Sequence, residues 1–246
     1  MESRIPNGGH WWERWWGVLL LGLMVLVVVV VLGFGFIVGY YFWQIKQGKG
    51  GEIVKMLNEK NPFSQENSEV KKKREDLELA DSPFLGNPKA DLVIVEFIDF
   101  KCPNCLAEDP IIRKVAQKYW SKVKIIVRDF PAESLHPGAS ELALLASCAH
   151  AQGKYWALHD IFFANQVQLS ESLSEDKIKG LLDQAGVDFN QVKQCLSGSQ
   201  VQMRVNRDYA TGFKYGVQGT PTFFINGVKT QGVISGEAWD KFLGEL

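Results

Sequence analysis

The sequence has no excess of charge of either sign, no basic stripe and no internal repeat. Its 27 Lys and Arg residues nearly balance 28 Asp and Glu residues, and the two signs are interspersed. Proteins that bind nucleic acids carry a basic patch for the phosphates, so this composition predicts no nucleic-acid partner. The length of 246 residues is enough for one good-sized domain with appendages.

Charge is also missing from one long stretch near the N-terminus. No charged residue occurs in residues 15–45, and residues 18–38 are almost entirely apolar. About 25 such residues form a helix of roughly 37 Å, which is long enough to cross a bilayer. Residues 17–43 therefore predict an uncleaved transmembrane anchor in contact with membrane lipid, after a short flank at 1–16. A cleaved signal peptide is the alternative, but the apolar run is too long and lacks a cleavage site.

Cysteine is scarce, and its four residues are unevenly spaced. Cys102 and Cys105 follow residues 92–100, an apolar run that predicts a buried strand. Two thiols where a strand meets a helix can alternate between dithiol and disulfide, because the unpaired N–H groups of the helix stabilise a thiolate. A zinc site and a purely structural disulfide are the alternatives. The other two cysteines are single and far apart, which does not supply the four ligands of a zinc site, so we predict no metal. Closing so short a loop would add little stability, which argues against a purely structural disulfide.

The remaining periodicity predicts the order of elements. Residues 44–81 are polar and predict a linker or stalk, and the folded domain begins near Ser82 and runs to residue 246. Strands at 92–100 and 124–130 flank a helix at 105–120, and several helices form an insertion over about 134–216. A hairpin turning at Asn226-Gly227 and a helix capped by Ser235 complete the chain. This order predicts an α/β thioredoxin fold with a helical insertion.

Four motifs in this order carry a resemblance to a known family. They are residues 95–105 (VEFIDFKCPNC), His136-Pro137, residues 152–156 (QGKYW) and residues 219–227 (GTPTFFING). The sequence resembles the DsbA-like thiol:disulfide oxidoreductases over residues 82–246, and more closely the membrane-anchored bacterial branch related to BdbD. The ordered set is much more specific than any single motif.

The resemblance implies a cis proline facing the cysteines. A cis bond before Pro221 would present the backbone of Thr220 to an extended substrate segment, with an ordinary trans turn as the alternative. At the start of the helix Cys102 is expected to be exposed, with a lowered pKa, and to act as the nucleophile. Cys105, one turn further in, is expected to be buried and to resolve the mixed disulfide. The redox-active disulfide replaces any cofactor.

The residues between the two cysteines set how oxidising the site is. Neither Pro103 nor Asn104 brings a positive charge beside Cys102. The strongest oxidants of the family often carry His at the position of Asn104. The departure from that pattern indicates a milder potential.

Three polar residues are candidates for supporting roles. Glu96 lies six residues before Cys102, where the family places a buried acid that exchanges a proton with the second cysteine. An edge-facing or salt-bridged Glu96 is the alternative. Asp99 is the second choice, on the opposite face of the strand by alternation. The resemblance puts His136 near the site, although a surface helix start explains it equally well.

Cys148 and Cys195 lie in the predicted helical block. An even pair left over in an exported protein predicts a structural disulfide, and closing a loop of nearly 50 residues would contribute about 4 kcal/mol in the chain-entropy model. Two buried thiols packed as small apolar groups are the alternative.

These residues together predict a membrane-anchored enzyme that forms disulfides in exported cysteine-containing proteins. The four cysteines favour an extracytoplasmic C-terminal domain, although the positive charges flanking the anchor do not settle its orientation. By analogy, re-oxidation needs a quinone-linked membrane partner of the DsbB or vitamin K epoxide reductase type. An isomerase or reductase of the same fold is one alternative. A holdase or assembly factor that uses only the proline groove is another.

Overall fold

The computed structural model describes residues 15–44, 62–170 and 173–244. The chain divides into two compact units, Met1–Ser68 and Glu69–Leu246. The predicted flank is outside the described residues except for its last two positions, and so are residues 45–61 of the predicted linker.

The first unit contains the uncharged stretch. It forms one helix, α1 (Trp15–Gln44), whose described apolar side chains, such as Leu32 and Phe36, are exposed. Counted over the described residues alone, no helix is long and apolar enough to cross a membrane. The transmembrane anchor at 17–43 is thus not confirmed.

A sheet of five strands forms the centre of the second unit, in the order β1-β3-β2-β4-β5. The strands are β1 (Phe84–Gly86), β2 (Leu92–Ile98), β3 (Val123–Asp129), β4 (Thr222–Ile225) and β5 (Val228–Gln231). β2 and β3 are parallel, and the other neighbours are antiparallel. The apolar run of β2 fits its central position, because a central strand is covered on both faces.

The helices after α1 are α2 (Pro62–Leu77), α3 (Pro103–Lys118), α4 (Ala139–Ala151), α5 (Tyr155–Ala164), α6 (Glu175–Gln184), α7 (Phe189–Ser197), α8 (Ser199–Lys214) and α9 (Gly236–Gly244), with a 3₁₀ helix at Gln166–Ser170. α2 lies in the predicted linker, and α3 to α9 follow the predicted order. α3 connects the two parallel strands, and α4 to α8 form the insertion between β3 and β4. The prediction of an α/β thioredoxin fold with a helical insertion is therefore confirmed.

The two faces of the sheet are covered by different helices. Ile94 and Ile98 of β2 belong to the core shared with α3, α9 and the insertion. Val95 and Phe97 point the other way and pack with Leu77 at the end of α2. Alternation along β2 therefore decides which side chains share a layer with the two cysteines at the start of α3.

The folded unit begins earlier than the predicted start near Ser82. Leu77 of α2 is only 1 % exposed, and Nη1 of Arg128 donates hydrogen bonds of 3.0 Å to the carbonyls of Asp76 and Leu77. A helix rich in Lys and Glu has little apolar surface to bury, so its composition predicted a linker. One leucine and two backbone carbonyls are enough to attach its end to the sheet.

The hairpin has the local geometry that its sequence predicts. Asn226 and Gly227 both have positive φ, at 46° and 86°, as the two central residues of a type I′ turn require. Oδ1 of Asn226 also accepts a 2.9 Å hydrogen bond from the N–H of Val93, which ties the turn to β2. Ser235 caps α9 as predicted, since its Oγ accepts a 3.2 Å hydrogen bond from the N–H of Ala238.

Candidate active site

The start of α3 positions the two cysteines. Cys102 is the N-cap, and Pro103 occupies the first turn, where a missing N–H costs nothing. The carbonyl of Cys102 accepts hydrogen bonds from the N–H groups of Cys105 at 3.1 Å and Leu106 at 3.2 Å. The sulfur of Cys102 therefore lies at the positive end of the helix dipole.

Cys102 is less accessible than the sequence predicted. The residue is only 6 % exposed, and its Sγ donates a 3.2 Å hydrogen bond to the carbonyl of Thr220. The expectation of an exposed thiol is thus wrong, because the loop before Pro221 covers the sulfur.

The pKa of the Cys102 thiol is lowered to about 5. The largest contribution is a hydrogen bond from the Cys105 thiol, and the Thr220 side chain and the N–H groups of Cys105 and Asn104 add to it, while burial opposes the shift. Cys102 therefore carries a thiolate near neutral pH whenever the pair is reduced.

The pKa of the Cys105 thiol is shifted in the opposite direction. It is 1 % exposed, and burial raises the pKa of its thiol well above the usual value, with the neighbouring Cys102 adding to the effect. Both cysteines are unpaired, and the opposite pKa shifts favour loss of the proton from Cys102 before Cys105. No group of three or more His, Cys, Asp and Glu side chains within the described ranges could hold a metal ion.

The loop before β4 forms the opposite wall of the site. The bond between Thr220 and Pro221 is cis, not the ordinary trans turn. Oγ1 of Thr222 donates a 2.6 Å hydrogen bond to the carbonyl of Gly219, which holds the loop at the start of β4. Pro103 and Asn104 are exposed on the facing helix and contribute no charge.

Glu96 is buried in the central strand, so the edge-facing alternative is wrong. Burial raises the pKa of its carboxyl group well above the usual range, and the negative charges of Glu108 and Asp109 on α3 add to the effect. Glu96 shares the face of β2 that carries Ile98 and the cysteine layer. Among the described residues, no hydrogen bond joins its carboxyl group to Cys105.

Asp99 braces the turn before the cysteines. Its Oδ1 accepts a 2.8 Å hydrogen bond from the N–H of Lys101, and its carbonyl accepts one of 3.0 Å from the N–H of Cys102. Its Oδ2 accepts a 3.0 Å hydrogen bond from the N–H of Ala132 and lies 2.7 Å from Nδ1 of His136. The structure thus brings His136 to the site through Asp99, which connects the loop after β3 to the turn.

The remaining two cysteines form a disulfide between α4 and α7. The sulfurs of Cys148 and Cys195 are bonded, and their Cα atoms lie 5.9 Å apart. The insertion is therefore cross-linked beside the core cluster that contains Cys102 and Cys105.

Comparison with known proteins identifies the family. A family model described as thioredoxin matches residues 78–245, which is more than half of the chain. The chain belongs to the thioredoxin family.

Solved structures that share the fold of this thioredoxin domain include a DsbA protein. A thioredoxin-like oxidoreductase from Silicibacter pomeroyi superposes with a TM-score of 0.60 at 24% identity, covering 70% of this chain and 96% of that one. The thiol-disulfide exchange protein alpha-DsbA2 from Wolbachia pipientis gives 0.59 at 21%, covering 72% and 94%. The catalytic domain of ScsC from Proteus mirabilis gives 0.59 at 20%, covering 72% and 95%. At these identities the likeness is one of fold.

Curated relatives are larger proteins. The thioredoxin-family chain is 31% identical to the Na(+)/H(+) antiporter NhaA 3 of Salinispora tropica over 153 residues, or 62% of this chain and 23% of the antiporter. It is 32% identical to NhaA 1 of Mycolicibacterium vanbaalenii over 149 residues, or 60% and 24%. The chain thus spans about a quarter of the length of these relatives.

The sequence did not reveal two residues near the site. Asp129 ends β3 opposite Ile98, on the same face as Glu96, and burial raises the pKa of its carboxyl group to about 8, with Asp208 adding to the shift. Gln166, in the insertion, donates hydrogen bonds from Nε2 to the carbonyls of Phe100 and Cys102. Adjacent ends of parallel strands could have indicated Asp129, but no local pattern indicates Gln166.

Proposed function

We propose that this chain is a thiol:disulfide oxidoreductase that transfers the Cys102–Cys105 disulfide to cysteine pairs in exported proteins. The observation that carries the proposal is the unequal pair of thiols at the start of α3, with a lowered pKa at Cys102 and a raised pKa at Cys105. Membership of the thioredoxin family and the fold shared with a thiol-disulfide exchange protein support it.

The reaction consists of two exchanges of sulfur bonds. A substrate thiolate attacks Sγ of Cys102 in the oxidised protein, the bond to Cys105 breaks, and the Cys105 sulfur leaves with the electron pair and takes up a proton. A second substrate thiolate then attacks the substrate sulfur of the mixed disulfide and releases Cys102 as a thiolate. The substrate dithiol is oxidised to a disulfide, and the protein disulfide is reduced to a dithiol.

The stabilised thiolate of Cys102 favours transfer of the disulfide from this protein to the substrate. A low pKa at Cys102 favours the reduced protein and makes its disulfide a stronger oxidant. The uncharged side chain of Asn104 favours a milder oxidant, and with it the second candidate, an isomerase or reductase. A reduction potential at or below about −250 mV would contradict the oxidase, because oxidants of this class lie well above it.

Glu96 is proposed to exchange the proton of Cys105. Both groups lie in the same buried layer, and burial keeps the carboxyl group protonated to higher pH than usual. Since no direct hydrogen bond joins them in the described residues, we propose that the proton passes through bridging water. Glu96→Gln should slow exchange and remove one ionisation from its pH profile, and Glu237→Gln on α9 is the matched control. A profile identical to that of the wild type would contradict this role.

Thr220 and Pro221 are proposed to take part in substrate binding, because the loop before Pro221 covers the sulfur of Cys102. The Thr220 carbonyl accepts from the Cys102 thiol, and once Cys102 has lost its proton an extended polypeptide can donate to this carbonyl instead. Recognition through the backbone needs no particular side chain. It therefore suits an enzyme that acts on many unfolded clients.

The proposed setting is the outer side of a cell membrane, with the C-terminal domain extracytoplasmic. The uncharged stretch at 15–45 supports a single-pass anchor, and the Cys148–Cys195 disulfide supports an oxidising compartment. Turnover then requires a membrane re-oxidase, for which a DsbB-like or vitamin K epoxide reductase-like protein is the analogy.

The deciding experiment follows disulfide formation in a reduced, unfolded protein that contains one cysteine pair. The oxidised chain should form the substrate disulfide in stoichiometric amount. In the reverse direction, the Cys102 thiolate of Cys105→Ala should attack the disulfide of the oxidised substrate, displace one substrate thiolate and accumulate as a mixed disulfide that no second cysteine can resolve. Client disulfides that form equally well with Cys102→Ser in cells would contradict a redox role and favour a holdase or assembly factor.

A further inference from the structure

Gln166 connects the helical insertion directly to the redox site. It begins the 3₁₀ helix after α5 and is 9 % exposed. Its Nε2 donates a 3.0 Å hydrogen bond to the carbonyl of Phe100 and a 2.9 Å hydrogen bond to the carbonyl of Cys102. A side-chain amide has two N–H donors, so these two bonds use the full donor capacity of the group.

The two carbonyls lie on either side of the turn that leads into α3. The Cys102 carbonyl also accepts from the N–H groups of Cys105 and Leu106, so Gln166 joins the hydrogen bonds of the first helical turn. The ring of Phe100 packs 5.2 Å from the ring of Phe162 in α5, measured between centroids. This contact holds the end of α5 against the strand end.

We propose that Gln166 is a positioning residue for the Cys102 thiolate. Its amide fixes the peptide groups of the turn so that the N–H groups of Asn104 and Cys105 point at the Cys102 sulfur. The insertion thereby sets part of the stability of the thiolate. The inference deepens the proposed function, since it concerns the same site, but it is tested on the thiol itself.

A merely structural glutamine would have a different effect. If the amide only satisfied buried carbonyls, its loss would destabilise the fold and leave the ionisation of Cys102 unchanged in the protein that remains folded. A positioning residue changes that ionisation. The pKa of Cys102 in the folded protein therefore separates the two roles.

The primary test replaces the amide with an apolar group of similar length, Gln166→Met. Loss of one such hydrogen bond should raise the pKa of Cys102 by roughly 0.5–1 unit. The measurement is the thiolate ultraviolet absorbance of the reduced protein against pH. A full unit would make the oxidised form about tenfold less oxidising, a fall of ~30 mV in potential against glutathione.

The matched control is Gln168→Met in the same 3₁₀ helix. Gln168 is exposed, and the contact of this residue with Lys177 is made by its backbone carbonyl, which the substitution retains. We expect the control to leave the pKa and the potential of Cys102 at their wild-type values. Equal shifts in both variants would overturn the proposal, because the effect would then not be specific to the buried amide.

A second measurement needs no substitution and serves if Gln166→Met does not fold. The side-chain amide protons of Gln166 should change their NMR shifts with the titration midpoint of Cys102 in the reduced wild-type chain. Resonances that stay constant through that titration, or a folded Gln166→Met with an unchanged Cys102 pKa, would overturn the inference. A Gln166-dependent pKa in a chain that oxidises no substrate would instead refute the proposed function alone.

Discussion

The two cysteine pairs of this chain share one core and differ in chemistry. Cys102, Cys105 and Cys148 belong to the same buried cluster, and Cys195 packs against it. The first pair is three residues apart at the start of a helix, and the second is separated by 47 residues and forms a disulfide. Burial alone therefore does not decide whether a cysteine is reactive in this protein.

The position of each sulfur relative to the backbone explains the difference. Cys102 caps α3, where the N–H groups of Asn104 and Cys105 in the first turn stabilise a thiolate. Cys148 lies near the C-terminal end of α4, and Cys195 is in the last turn of α7. The negative end of a helix disfavours a thiolate. The N-terminal end of a helix thus activates Cys102, while positions near the C-terminal ends of helices leave the other pair structural.

The largest expected effect is the loss of disulfide transfer when the reactive pair is changed. Cys102→Ser should reduce disulfide transfer to the background rate, a loss of at least ~10³-fold, because a hydroxyl group cannot form the mixed disulfide. The measurement is the loss of free thiols in a reduced substrate protein. The control is Cys148→Ala with Cys195→Ala, which should transfer disulfides normally once folded. Equal loss in both variants would contradict the division of roles.

The structural pair should affect stability instead. Joining residues 47 apart restricts the unfolded chain, so Cys148→Ala with Cys195→Ala should lower the free energy of unfolding by about 4 kcal/mol. Denaturant unfolding measures this change. With the Cys102–Cys105 pair reduced in both proteins, breaking the Cys148–Cys195 disulfide should bring the wild type to the stability of the double variant. A variant as stable as the wild type would show that the insertion does not depend on its cross-link.

The pH dependence of stability should differ between redox states. Between about pH 5, the folded pKa of Cys102, and its unfolded value near 8.5, the unfolded thiol holds a proton that the folded thiolate lacks. The free energy of unfolding of the reduced protein should therefore rise with pH across this window by up to ~1.4 kcal/mol per unit, and this contribution should be absent below the folded pKa.

The difference between reduced and oxidised protein isolates this contribution. Asp129, with a pKa raised to about 8, destabilises the folded state as pH rises, but it does so in both redox states. Urea unfolding of both forms across the pH range gives the difference directly. The slope should disappear in Cys102→Ser. A redox difference that does not vary with pH would contradict the lowered pKa of Cys102.

The smallest expected effect concerns the covering loop. Thr220→Val keeps the shape of the side chain and removes the hydroxyl that stabilises the thiolate, so the pKa of Cys102 should rise by roughly 0.5–1 unit. Thiolate absorbance against pH measures the shift, and Thr230→Val on β5 is the control. No change in Thr220→Val would assign the lowered pKa to Cys105 and the helix backbone alone.

Much of the fold was predictable because its signals are local. The apolar run of β2, the Asn226-Gly227 turn and the serine cap of α9 each occupy a few neighbouring residues. β1 was missed because Phe84–Gly86 is too short to show alternation. The end of α2 was missed because its burial rests on one leucine in a charged segment.

The candidate site was predictable where a motif encodes it. The cysteine pair and Pro221 lie in recognisable stretches, and Glu96 lies at a fixed distance before Cys102. The cover over Cys102 and the hydrogen bonds of Gln166 join residues 118, 64 and 66 positions apart. Such contacts depend on how the insertion and the β4 loop pack, which no short pattern in the sequence records.

The attachment of α2 to the sheet decides where this chain can be shortened. A polypeptide beginning at Ser82 would leave the buried guanidinium of Arg128 without the carbonyls of Asp76 and Leu77 and more dependent on its 2.8 Å ion pair with Asp208. We therefore expect a chain cut at residue 69 to fold, and one cut at residue 82 to be markedly less soluble. The practical N-terminal boundary of the folded domain therefore lies inside the segment whose composition predicts a linker.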